Sequence, residues 1–141
     1  MLRNILLSSV VLAGVASAQC SNLSASNNAG DVTLAMSGGA AMSPTFMLVG
    51  QTTGTTPISI GNLGSVTLGL AMPFVPAPAG LSDMNGDASL TFTVPSVVTG
   101  TYYFQALTIS FSFNPGSGTP GNPGAGFGLD FCESNVASLT F

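Results

Sequence analysis

Histidine, lysine and tryptophan are absent from this 141-residue chain, and its only basic side chain is Arg3. Each absence removes a class of chemistry. Without histidine there is no Ser–His or Cys–His nucleophile pair and no imidazole metal ligand. Without lysine there is no Schiff base and no Ser–Lys dyad. With no arginine past residue 3, the usual bidentate clamp on a carboxylate or phosphate substrate is missing. Nucleic-acid binding needs cations against the phosphates, so that class is excluded, and an anionic membrane surface goes with it. Carboxylates remain, with Asp83 and Asp87 close in sequence. A glycosidase, however, normally adds aromatic platforms, and here the only hydroxylated rings are Tyr102 and Tyr103. The chain is therefore expected not to be an enzyme and to carry no cofactor.

What is present begins with an export signal. Arg3 lies in a short positive start, residues 5–15 are mostly apolar, and Ala16-Ser17-Ala18 has the small-x-small form of a signal-peptidase site. Residues 1–18 are read as a cleaved signal peptide and residues 19–141 as a single domain. The apolar stretch is too short to span a bilayer, and no later one is longer. Gln19 stands before Cys20 where a lipoprotein would need a small residue, so the product is expected free in the extracellular space or at the cell surface. Losing Arg3 takes the formal charge from −4 to −5, carried by Asp31, Asp83, Asp87, Asp130 and Glu133.

The only cysteines are Cys20 and Cys132. In an exported chain one pair reads as one disulfide, and closing so long a loop is worth roughly 4–5 kcal/mol in the chain-entropy model. Two separate buried thiols are the other reading.

Between 18 glycines and 9 prolines lie short runs rich in Val, Ile, Thr and Phe. That is the pattern of an all-β chain. Strands are expected near residues 31–36, 45–50, 57–60, 65–72, 88–94, 101–110, 126–132 and 135–141. Leu90, Phe92 and Val94 alternate with hydroxyl residues, as a half-buried strand requires. Residues 101–109 are apolar on both faces, which predicts a central strand covered on both sides, with Gln105 buried and bonded to backbone. The expected fold is a two-sheet antiparallel β-sandwich of about eight short strands. Residues 73–80, with three prolines, and the Gly/Pro-rich stretch 114–126 read as loops.

Asp83-Met84-Asn85-Gly86-Asp87 resembles the start of a calcium loop, with Asp83, Asn85 and Asp87 at ligand positions one, three and five. The next required residues fail, since Ala88 and Val94 stand where glycine and glutamate belong. A hairpin turn with Asn85-Gly86 at its tip is the other reading. Asn22-Leu23-Ser24 is a formal glycosylation sequon and carries no weight on its own.

One longer pattern runs through the second half. Gly86-Asp87-Ala88-Ser89-Leu90 leads into a strand closed by Val94-Pro95, then Gly100, then Tyr103-Phe104-Gln105-Ala106-Leu107, then Ser134-Asn135. From about residue 81 to 141 this resembles a short secreted domain that recurs in planctomycetes and related bacteria. That resemblance implies a β-sandwich, export and a bacterial source, and no established activity. The interval from Gly100 to Gln105 is one residue shorter than usual, and Thr108-Ile109-Ser110 replaces an Asp-like position.

The function expected is that of a non-catalytic extracellular structural or interaction module. Its partner is a second copy or another extracellular protein. With no cation and few charges, its sheet edges lack the usual defences against pairing, the terminal strand 135–141 among them. A carbohydrate-binding module and a calcium-stabilised adhesin-like module are the alternatives.

Overall fold

Val32, Leu34 and Met36 alternate with Asp31, Thr33 and Ala35, and that period of two decides where the core lies. A computed structural model describes residues 20–114 and 126–141. The signal peptide read at 1–18 and most of the Gly/Pro stretch lie outside the described residues. The described residues form nine strands and no helix. They are β1 (Asn22–Asn28), β2 (Asp31–Ser37), β3 (Pro44–Gly50), β4 (Thr53–Ile60), β5 (Gly64–Leu70), β6 (Phe74–Leu81), β7 (Ala88–Thr93), β8 (Thr101–Asn114) and β9 (Gly126–Thr140).

The two larger sheets have the orders β1-β2-β7 and β6-β3-β8-β9, and all pairings are antiparallel. Between them Leu23, Val32, Leu34 and Met36 meet Met47, Phe104 and Ala106 in one buried cluster. Full burial of side chains of this size contributes about 1.5–3 kcal/mol each. This is the expected sandwich. The two-stranded ribbon β4-β5 adds a third layer. Its Val66, Leu68 and Leu70 pack on Leu48 and Leu107, on the opposite face of the four-stranded sheet. Strands β3 and β8 are thus buried on both sides, which is why residues 101–109 are apolar on both faces.

Three local expectations need correction. The proline-rich stretch 73–80 is no loop, since β6 pairs with β3 through Leu48↔Pro76 and Phe46↔Pro78. Proline is tolerated there because β6 is an edge strand, and a missing N–H costs nothing on the side that faces away from the ladder. Residues 126–132 and 135–141 are one strand, interrupted by a bulge, rather than two. The turn at Asn85-Gly86 does not close a hairpin, because β6 and β7 belong to different sheets.

The bulge in β9 explains the Gln-Ala and Ser-Asn pairs. Opposite the single residue Ala106, β9 inserts Ser134 and Asn135, so the register jumps from Gln105↔Val136 to Leu107↔Glu133. Two backbone groups at the bulge are met by side chains. Ala106 N–H donates to Ser134 Oγ at 2.8 Å, and Gln105 Nε2 donates to Ser134 O at 2.9 Å. Gln105 Oε1 accepts from Gly69 N–H at 2.9 Å, which ties the β4-β5 layer to the same point. Gln105 is 3% exposed, as expected of a structural amide.

Candidate functional site

The two cysteines meet at the outer edge of β9. Cys20 and Cys132 form a disulfide with their Cα atoms 5.5 Å apart. Around it the N-terminal segment is zipped to β9. Cys20 N and Ser21 N both donate to Glu133 O, at 3.1 and 3.3 Å. Asn135 then imitates a strand: its Oδ1 accepts from Leu23 N at 2.8 Å and its Nδ2 donates to Leu23 O at 3.0 Å. The bridge therefore anchors the N-terminal segment to the middle of the last strand. A bond of this kind fits a protein of an oxidising, non-cytoplasmic compartment. Among the described residues no helix is long and apolar enough to cross a membrane.

Asp83, Asn85 and Asp87 share one tight turn, and one oxygen of each aspartate is taken up by backbone N–H groups, within the turn for Asp83 and beyond it for Asp87. Asp83 Oδ1 accepts from the backbone N–H of Asn85 and Asp87 at 2.8 and 2.9 Å. Asp87 Oδ1 accepts from Gly38 N–H at 3.1 Å. Gly86, at φ +79°, lies so close to the backbone of Gly39 that no Cβ fits between them. Among the described residues no three His, Cys, Asp or Glu side chains are grouped to hold a metal ion. Beside the turn runs an open groove of about 410 Å³, whose polar lining comes from Ser24, Ser37, Ser89, Asp83 and Asp87.

The outer face of β1-β2-β7 is a hydroxyl and amide surface with one charge. Thr33 and Thr91 hydroxyls lie 3.2 Å apart, and Thr93 Oγ1 donates to Asp31 Oδ1 at 2.8 Å. At one end of the sandwich an apolar notch of about 270 Å³ opens among Val49, Phe92, Val94, Val98, Tyr102 and Phe141. The rings of Tyr102 and Phe141 meet edge-on there with centroids 5.8 Å apart, and the Tyr102 hydroxyl accepts from Gln51 Nε2 at 3.3 Å. Tyr102 and Tyr103 are both half-buried.

A group of exposed aromatic side chains lies on the distal part of the β8–β9 hairpin. Cross-strand pairs Ile109↔Phe131, Phe111↔Leu129 and Phe113↔Phe127 share one face, and Ser110↔Asp130 and Ser112↔Gly128 share the other. Near the body the β4–β5 turn covers the apolar face. Leu129 N–H donates to Leu63 O at 2.7 Å there, and Gly64 packs against Leu129 and Phe131. Beyond that turn the cover ends. Phe111 is 77%, Phe113 59% and Phe127 72% exposed, with the Phe113 and Phe127 rings 5.3 Å apart. These three residues were not singled out from sequence, although the period-two alternation through 109, 111, 113 and 127, 129, 131 was there to be read.

No family model, curated protein or solved structure matches the chain.

Proposed function

We propose that the protein is a non-catalytic extracellular module, structural or interacting, that works by surface contact rather than by bond making. The observation that carries this reading is the bare aromatic face of the β8–β9 arm, three exposed phenylalanines on one side of a two-stranded ribbon. Soluble domains seldom leave large rings grouped in water unless something covers them. Export is supported by the leader-like residues 1–18 and by the Cys20–Cys132 bridge. The resemblance to a secreted bacterial domain runs from residues 86–90 through Val94-Pro95, Gly100 and residues 103–107 to Ser134-Asn135, and the work of Gln105, Ala106, Ser134 and Asn135 among them is to hold a bulge, so it speaks for architecture. A second reading, carbohydrate binding, finds support in the serine and carboxylate lining of the groove beside Asp83 and Asp87.

Expression of the full chain in a bacterial host with an export pathway tests the first reading. The expected product is processed after Ala18, oxidised and recovered outside the cytoplasm. An unprocessed chain with two free thiols in the cytoplasm would contradict it. Co-sedimentation with insoluble polysaccharides separates the second reading: retention that is lost in Asp83→Asn/Asp87→Asn would favour the groove over the arm.

A further inference from the structure

Among the described residues, the arm carries an unpaired backbone edge at Phe111 and Phe113, two of the three residues with bare rings. Gly100 and Phe141 exchange both backbone hydrogen bonds, and Ala106 N–H points toward β9 to reach Ser134 Oγ. Alternation carries that direction through Thr108, Ser110 and Ser112. The N–H and C=O of Phe111 and Phe113 are thereby turned to the opposite edge. The ladder between β3 and β8 ends at Thr45↔Thr108, and past it no strand among the described residues lies against β8. Within the four-stranded sheet the other edges are blunted: β6 by Pro76 and Pro78, and β9 by Asn135, the Cys20–Leu23 segment and Leu63. Among the described residues of the arm, 109–114 and 126–131, there is neither proline nor cation, and the one acid, Asp130, lies on the other face.

We propose that this edge pairs with the same edge of a second copy, antiparallel, with Phe111 of one copy opposite Phe113 of the other. This rests on the contact-module reading above and names its partner. A strand segment whose outward groups sit at two alternate positions is self-complementary under a two-fold axis, and each of the two pairs exchanges two hydrogen bonds. Paired residues share a face, so the aromatic surfaces of both arms merge on one side of a four-stranded sheet. Two strands alone are marginal in water and four are not. An anionic lipid surface is a poor occupant, because the domain has five acids and no cation after residue 3.

The area sets the strength. With roughly 200 Å² per phenylalanine side chain, the exposed fractions leave about 400 Å² of ring surface per copy, against about 800 Å² per partner in a standard interface. Ile60 and Leu63, 41% and 44% exposed beside the arm, extend the patch. A dimer of this size belongs to the class of weak, transient contacts.

Sedimentation equilibrium of the oxidised chain from residue 19, across the micromolar to millimolar range, tests the pairing. The expected result is a reversible monomer–dimer equilibrium. Phe113→Thr should weaken it by about tenfold or more through loss of the ring, and Phe113→Pro should weaken it further. Only proline removes the outward N–H, and the β9 ladder does not use that group. Melting curves of both variants establish that they fold. A strict monomer at millimolar concentration overturns the pairing, and so does an unchanged dimer in Phe113→Pro. A processed, exported chain that is strictly monomeric defeats this inference alone, whereas a reduced cytoplasmic chain defeats the module reading.

Discussion

Truncating Gln105 to alanine should unfold this protein more easily than any surface change, and the cost can be worked from its contacts. Its side chain is 3% exposed and spans two elements, taking Gly69 N–H from β5 and giving to Ser134 O in the β9 bulge, both at 2.9 Å. Gln105→Ala leaves one donor and one acceptor without partners, at about 1–3 kcal/mol each when no water replaces them. The space left by the amide adds a cavity term of about 1 kcal/mol. A loss of about 3–7 kcal/mol is expected, its lower end reached where the freed groups relax toward other partners. It would be read as a fall in the urea midpoint with unchanged slope, followed by tyrosine fluorescence or far-ultraviolet circular dichroism. Gln105→Glu adds a second arm. At neutral pH its carboxylate keeps the Gly69 bond but faces Ser134 O with no proton to give, and burial disfavours its charge. Its folded pKa therefore lies above the unfolded value of about 4.3. The variant's stability relative to the wild type is then highest below that unfolded value and falls as pH rises through the folded pKa. A Gln105→Ala variant within 1 kcal/mol of the wild type would refute the clamp.

Three further substitutions probe separate joints. Gly86→Ala puts a Cβ into the backbone of Gly39 at a φ of +79°, and a loss of more than about 2 kcal/mol is expected in the same denaturation assay; a neutral result would mean that the turn does not pass so close. Ala29 and Gly30 form the β1–β2 turn with φ of +53° and +95°, and alanine is costly in that region. Ala29→Asn should raise stability by about 0.5–1 kcal/mol, and a lower midpoint would contradict the turn assignment. Cys20→Ala/Cys132→Ala removes a cross-link of sequence separation 112 and should cost about 2–5 kcal/mol; a change under 1 kcal/mol would show that the hydrogen bonds to Glu133 and Asn135 hold the N-terminal segment unaided.

The strands that were legible in the sequence are those whose side chains divide cleanly between core and water. Val32, Leu34 and Met36 mark β2, Leu90 and Phe92 mark β7, and the doubly apolar run marks β8. Strand β1 was illegible because only Leu23 and Ala25 turn inward among serines and asparagines. Strand β6 was hidden by prolines, which forbid a central strand but suit an edge. The bulge split β9 in two, since inserting Ser134 and Asn135 opposite one residue breaks the alternation. The third layer was out of reach of any local pattern: that β4-β5 covers the second face of the four-stranded sheet depends on long-range packing. The disulfide followed from counting cysteines. The exposed rings of the arm were missed because an apolar face reads the same whether a neighbouring layer covers it or stops short of it.

Amide hydrogen exchange on the oxidised chain, compared between dilute and concentrated solution, tests most directly where this module makes its contacts. The account predicts that the N–H groups of Phe111 and Phe113 exchange freely when dilute and become protected as concentration rises, while the edges at β6 and β1 stay unchanged. Protection that appears at another edge, or none at all up to millimolar concentration, would contradict it.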